Sequence, residues 1–317
     1  MLLQLGKLAQ GETWEHGKAF STLNKFYATA CHIHEELGSW ASKYYVIESI
    51  RRLASACSQR QAIRLGEYSF VAQRLSGLNL DEAEDADCFS NIGAVSDKVQ
   101  RLVQFLTTDE KAARSGIVFV ERRATVAVLA KLLSIHPRTK DIIKTGTFVG
   151  MSTSTSGVAS IGDWLGPSQQ QNTLGDFRAR ESNLVIATSA LEEGIDISAC
   201  NAVICFSKPA NLKSFIQRRG RARERGSTFV LMLSSEEGTV GAETWEALER
   251  ELMAAYLKDM EERRAAQSLE EVEEKSEERF EVESTRYVAL DRGIIESSLP
   301  QGTYHLRHCS IPYTSFL

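Results

Sequence analysis

Arginines crowd one short stretch of this sequence, Gln217-Arg218-Arg219-Gly220-Arg221-Ala222-Arg223, and a polar, glycine-bearing run containing Thr188, Ser189, Gly194 and Asp196 lies shortly before it. Guanidinium groups and small hydroxyls together suit phosphate, for which a local basic surface matters more than the charge of the whole chain. Two apolar runs of strand length, Leu184–Ala187 and Ala202–Phe206, lead into these clusters. Continuous Val/Ile/Leu runs are the mark of strands buried on both faces, as neighbours in a parallel sheet are. On such sheets chemistry gathers at or just beyond the carboxyl ends of the strands, where all these residues fall. On residue types alone, the arginines could equally be the solvated basic end of a helix.

The elements that must position them alternate from Gly116 onward. The pattern predicts strands at Ile117–Val120 and near Thr145–Val149, then the two runs above, then Thr228–Leu233. Helices are predicted at Ala124–Leu133, Gln170–Ala179 and Leu212–Arg219. Such alternation means a parallel sheet covered on both faces, with right-handed crossovers. The expected fold class is therefore α/β, a RecA-like sheet domain over 111–234. Gly150–Gly166, rich in Ser, Thr and Gly, is expected to be its mobile loop.

Residues 1–110 contain no proline and are expected to form a helical domain with a linker helix. Phe20–Leu37 and Trp40–Cys57 are its main helices, broken at Gly38-Ser39, and Trp40, Tyr44, Ile47, Ile50, Leu53 and Ala54 make the apolar face of the second. Ser96–Leu106 carries capping residues and helical spacing, and leads into Gly116. Cys31-His32-Ile33-His34 does not make a metal site, because residues 32 and 34 of a helix face different directions. His305, His308 and Cys309 lack acidic or cysteine partners nearby, so no metal ligand is assigned. Beyond Ser234 an acidic helical arm is expected over 235–283, followed by a truncated and partly disordered tail over 284–317.

Net charge is −5, yet Gly116–Ser234 carries 15 basic against 9 acidic side chains, whereas Asp259–Glu283 carries 4 against 11. The positive charge sits with the arginine cluster. No run is long enough to span a bilayer, and Met1-Leu-Leu-Gln-Leu has no basic leader. Six scattered cysteines without a CxxC pair fit reduced thiols in an intracellular protein, cytoplasmic or nuclear.

ATSALEEGIDI resembles motif V of superfamily 2 helicases, and QRRGRAR resembles motif VI in the form found in Dicer and in RIG-I-like RNA sensors. GIVFVERRATV, from Gly116, resembles motif IV, and Glu35–Arg52 resembles the helical insertion of Dicer-like proteins. The family resembled overall is the fungal type of Dicer-like protein, over roughly Ala28–Gln267.

The resemblance implies a division of labour. Such helicases hold ATP with Mg2+ between two RecA-like domains; the first binds it, and the second supplies arginines that stabilise charge on the γ-phosphoryl group. Arg221 and Arg223 match those arginines, Gln217 the polar residue that opens the motif, and Gly194 and Asp196 the motif V positions on the nucleotide side. RNA contact would fall to Gly150, Thr188 and Ser189, expected at the other ends of the strands and loops; Arg122 and Arg123 could also touch phosphate. Met151 stands where relatives often carry histidine. No GxxxxGK[ST] occurs, and Asp81–Asp87 imitates the magnesium-binding acidic box without the strand that box requires. The first RecA-like domain is accordingly expected to be a missing partner, and the chain alone to be inactive on ATP.

The expected whole is a fragment of a Dicer-like RNA helicase and endoribonuclease that handles double-stranded RNA in RNA silencing and antiviral defence. The alternatives are a non-catalytic module that binds or regulates double-stranded RNA, and an incomplete gene model without an independent role.

Overall fold

The computed structural model describes residues 1–10, 17–59, 65–78, 94–108, 115–150, 164–165, 167–192, 200–222 and 226–234. It adds isolated helical positions between 244 and 258 and the backbone of two strands at 293–296 and 304–311. Four helices come first: α1 (Leu2–Ala9), α2 (Gly17–Leu37), α3 (Ser39–Gln59) and α4 (Leu65–Ser76). On α2 the buried residues Leu23, Phe26, Ala30, Ile33 and Leu37 recur every three or four positions, so one stripe faces the core.

The inward face of α3 differs from the expected one. Trp40, Ala41, Tyr45, Val46 and Leu53 are buried, with Ser42 and Ser49 beside them, while Ala54 is exposed and Tyr44, Ile47 and Ile50 are only partly covered. The helix is turned by about one position, because small Ala41, Ser42 and Ser49 occupy the contact face where bulkier residues would hold the neighbouring helix away.

Gly38 makes the sharp turn between α2 and α3. Its φ is 108°, and a Cβ there would lie 2.5 Å from the Ala94 carbonyl oxygen, so glycine is required twice over. The segment touching it leads into α5 (Asp97–Thr108), whose first turn is capped by Ser96 Oγ accepting from Val99 N at 3.2 Å.

The sheet follows: β1 (Gly116–Phe119), α6 (Arg123–Ile135), β2 (Thr145–Phe148), α7 (Pro167–Arg178), β3 (Leu184–Ala187), β4 (Ala202–Cys205), α8 (Leu212–Arg219) and β5 (Ser227–Ser234). Five strands run parallel in the order β2-β3-β1-β4-β5, with Val118 level with Ile186 on one side and Ile204 on the other. This is the RecA-like parallel sheet.

Two more strands extend it where a disordered tail was expected: β7 (Tyr304–Ile311) pairs antiparallel with β5, and β6 (Gly293–Glu296) with β7. Their sequences have no clean alternation; the open edge of β5 supplies the pairing. The expected loop at Gly150–Gly166 falls mostly on 151–163, and the acidic run Asp81–Asp87 wholly, outside the described residues.

Alternate residues of the strands face different cores, as the two-residue period of a strand requires. Val118, Val120, Leu184, Ile186, Ile204 and Phe206 join α5, α6 and the helical bundle in one continuous core. Ile117, Phe119, Val185, Val203 and Cys205 pack with Phe177 of α7 and Phe215 of α8 in a second. On the bundle side a buried charge is fully engaged: Lys98 Nζ lies 2.8 Å from Glu36 Oε1 and 4.7 Å from the Phe206 ring centroid. Ser207 Oγ donates to Glu36 Oε2 at 3.3 Å, tying the end of β4 to α2.

Candidate nucleotide and nucleic-acid interface

Helix α8 begins with Asn211, whose side-chain oxygen accepts from Ser214 N at 2.9 Å. Its inward residues are Ser214, Phe215 and Arg218, spaced at three and four positions. Phe215 meets Phe229 of β5 edge-on at 5.5 Å, which fixes the axial rotation of the helix and drives Arg218 inward.

Arg218 is 4% exposed and is held from three directions. Its Nε donates to Glu192 Oε1 at 2.7 Å, its Nη1 to the Ser207 carbonyl at 3.0 Å, and its guanidinium lies 5.0 Å from the Phe119 ring centroid. Glu192 Oε1 also accepts from Ser214 Oγ at 2.6 Å. A buried ion pair is tolerable only with such supplementary bonds. Cys205 lies beside it; burial pushes its thiol up to about 12, outweighing the nearby Arg218 guanidinium, so it is an inert core residue.

The same glutamate holds a second arginine of the cluster through its backbone. Arg221, 8% exposed, donates from Nη2 to the Glu192 carbonyl at 2.7 Å. Residues of motif V and motif VI are thus joined side chain to side chain and side chain to backbone. Gln217 is partly buried on α8. Gly194, Asp196 and Arg223 lie outside the described residues.

Gly150, Thr188 and Ser189 come together at the adjacent carboxyl ends of β2 and β3. They lie at the same end of the sheet as Arg218 and Arg221, whose carbonyl partners Ser207 and Glu192 follow β4 and β3, rather than at the other ends of the strands. Thr188 is only 7% exposed and its N–H donates to the Phe148 carbonyl at 3.1 Å, so the exposed polar group of the pair is Ser189. A Cβ on Gly150 would come within 3.2 Å of the Ala190 Cβ, which measures how closely the two strand ends approach.

Arg123, considered for phosphate contact, is instead engaged with the protein. It donates from Nη1 to the Gly150 carbonyl and from Nη2 to the Leu165 carbonyl at 2.8 Å. Two residues matter beyond the roles read from the sequence: Glu192, which was given none, and Arg218, which was named only within the arginine cluster. Their signal was present: in an amphipathic helix with Phe215 inward, position 218 also faces inward, and a buried arginine requires a carboxylate. Among the described residues no group of three or more His, Cys, Asp or Glu side chains is arranged to hold a metal ion.

The family described as the helicase conserved C-terminal domain matches residues 97–226. Together with the RecA-like sheet and the joined motifs, this defines the class: a helicase C-terminal region.

That region is of the fungal Dicer-like type. Over 293 residues the chain is 41% identical to Dicer-like protein 2 of Aspergillus terreus, covering 89% of this chain and 21% of that protein. Over 277 residues it is 40% identical to Dicer-like protein 2-1 of Aspergillus niger, covering 86% and 20%. The chain spans about a fifth of the length of the curated relatives it matches. Among solved structures, the C-terminal domain of the DEAD-box protein Dbp5 aligns with 41% of this chain and 64% of its own, at 24% identity and a TM-score of 0.32. No described helix is long and apolar enough to cross a membrane.

Proposed function

We propose that this chain forms the second lobe of an ATP-dependent machine acting on double-stranded RNA, in RNA silencing and antiviral defence, in the cytoplasm or nucleus. The observation that carries this reading is the Glu192 joint. One residue of motif V fixes Arg218 with its carboxylate and Arg221 with its carbonyl, so RNA-side and nucleotide-side residues share one backbone segment.

The donors present fit one wall of a triphosphate site. Arg221 sits on the turn after α8 with its guanidinium donating to the Glu192 carbonyl, a contact that a phosphate oxygen can replace with a stronger charge-assisted bond. Arg223 and Gln217 would join it, with Gly194 and Asp196 along the ribose side. ATP with Mg2+ would supply the phosphoryl group whose developing charge the arginines stabilise. The facing wall belongs to a first RecA-like lobe, the partner this surface requires. On the RNA side, Ser189 and the Gly150 peptide would meet backbone phosphates, contacts that position a strand without reading its sequence.

The test joins the first RecA-like lobe of a Dicer-like relative ahead of Met1 and measures ATP turnover. Hydrolysis is expected only with double-stranded RNA, and Arg221→Lys, which keeps charge but loses the planar fork, is expected to abolish most of it with RNA affinity nearly kept. Near-normal turnover in that variant would remove the catalytic role. Without the added lobe the 317-residue chain is expected to turn over no ATP.

A further inference from the structure

Arg123 opens α6, yet its guanidinium reaches away from the helix to hold two separate stretches of backbone. One terminal nitrogen donates to the carbonyl of Gly150, just beyond β2, and the other to the carbonyl of Leu165. The second stretch is itself anchored in the helical bundle through the neighbouring Trp164. Its Nε1 donates to Ser49 Oγ at 3.2 Å, its ring lies 5.5 Å from Tyr45 and edge-on at 5.8 Å from Tyr44, and the Arg52 guanidinium lies 5.2 Å from its centroid. On its far side Gly150 abuts Ala190, next to Ser189. One guanidinium therefore fixes the Gly150 peptide between the bundle and the end of β3.

We infer that Arg123 is a positioning residue for duplex RNA: it holds the Gly150 peptide beside Ser189 in the orientation that phosphate contact needs, and does not itself bind the phosphate. This rests on the RNA reading above. A planar fork offers two separate terminal nitrogens, one to each carbonyl, in a fixed orientation; an ammonium offers its three donors from one nitrogen on a flexible stem and fixes neither carbonyl's direction. Holding the peptide before RNA arrives removes an ordering cost from binding. A residue that meets phosphate contributes to counterion release, whereas a residue that only orients backbone does not.

The two roles separate in a salt series with the 317-residue chain and a labelled blunt duplex RNA. Arg123→Lys and Arg123→Gln are both expected to weaken binding by about tenfold, two lost carbonyl bonds being enough for that. The slope of log affinity against log salt should stay at its wild-type value in both, with the melting temperature nearly kept. If Arg123→Lys binds like wild type while Arg123→Gln loses affinity and about one unit of slope, Arg123 is a direct phosphate contact and the inference is wrong. Wild-type affinity in both variants overturns it as well. Ser189→Ala tells the two levels apart: if it weakens binding while both Arg123 variants bind normally, the RNA reading survives and the positioning role does not. No salt-dependent duplex binding by the wild-type chain defeats both. Should Arg123→Lys not fold, Trp164→Phe loosens the same anchor from the Leu165 side and is expected to weaken binding at unchanged slope; wild-type affinity there overturns the inference.

Discussion

The two faces of the sheet are secured differently. On one, Val118, Ile186, Ile204 and Phe206 share a core that continues through α5 and α6 into the helical bundle, so stability comes mainly from apolar area. On the other, Phe119, Val203 and Cys205 share a smaller core with α7 and α8, edged by the buried Glu192–Arg218 pair. The first face joins the bundle to the sheet through one shared core. The second concentrates its specificity in a few directed bonds, and those bonds hold the candidate site.

Breaking the smaller face at its ion pair should have the largest effect. Arg218→Ala leaves Glu192 buried without its counter-charge and is expected to cost about 3–5 kcal/mol in urea melts. Arg218→Met combined with Glu192→Leu removes both charges and should recover most of that loss, and it leaves the residue-192 carbonyl in place for Arg221; a loss under about 1 kcal/mol for Arg218→Ala would mean that water reaches the pair.

The larger face is probed by Leu132→Ala in α6, a fully buried position expected to lose about 2–5 kcal/mol. The diagnostic is cooperativity: far-ultraviolet circular dichroism and tryptophan emission should still report one transition, because bundle and sheet share that core. Two separated transitions would show that the faces, and the bundle with them, unfold apart.

Asn211→Ala sharpens the comparison with a smaller change. It removes the cap of α8 and should cost about 1 kcal/mol, with Arg221-dependent turnover in the two-lobed chimera falling more than stability alone explains. A loss of stability with turnover unchanged would show that the orientation of α8 does not govern Arg221.

The smallest effect is a dependence on pH from the bundle side. Burial above all, and then the Arg122 guanidinium, hold the pKa of His32 below its ordinary value against the pull of Glu36, Glu121 and Glu35; its Nε2 is buried without a partner. His136 shifts in the same direction, through burial and then Arg138. The unfolded chain binds protons at the ordinary histidine pKa, so this contribution is complete above that pH and shrinks as pH falls through it towards the lowered folded value. His32→Gln should flatten the stability profile between about pH 7 and 5; an unchanged profile would assign the slope elsewhere.

What the sequence made legible follows from how local each signal is. Predicted strand Ile117–Val120 and helix Leu212–Arg219 match the observed Gly116–Phe119 and Leu212–Arg219 within a residue, because continuous apolar runs and an Asn cap are written in adjacent residues. The inward face of α3 was misjudged, since small Ala41, Ser42 and Ser49 are no signal until a neighbouring helix is present. The Glu192–Arg218 pair and the Arg123 clasp join residues far apart in sequence, and their partners include carbonyl groups that every residue carries. Strands β6 and β7 depend on an edge supplied by β5, which no local pattern announces.

The strand order has a consequence for synthesis on the ribosome. Strand β1 is made first, yet both of its hydrogen-bonding neighbours, β3 and β4, are made well after it. At ordinary elongation rates that interval is on the order of several seconds, during which Gly-Ile-Val-Phe has no edge to join. The helical bundle and α5 are complete before then and belong to the same core, so they can shelter one side of the waiting strand. Deleting the helices that precede β1 is therefore expected to raise aggregation during in vitro translation more than it lowers the stability of chains that finish folding.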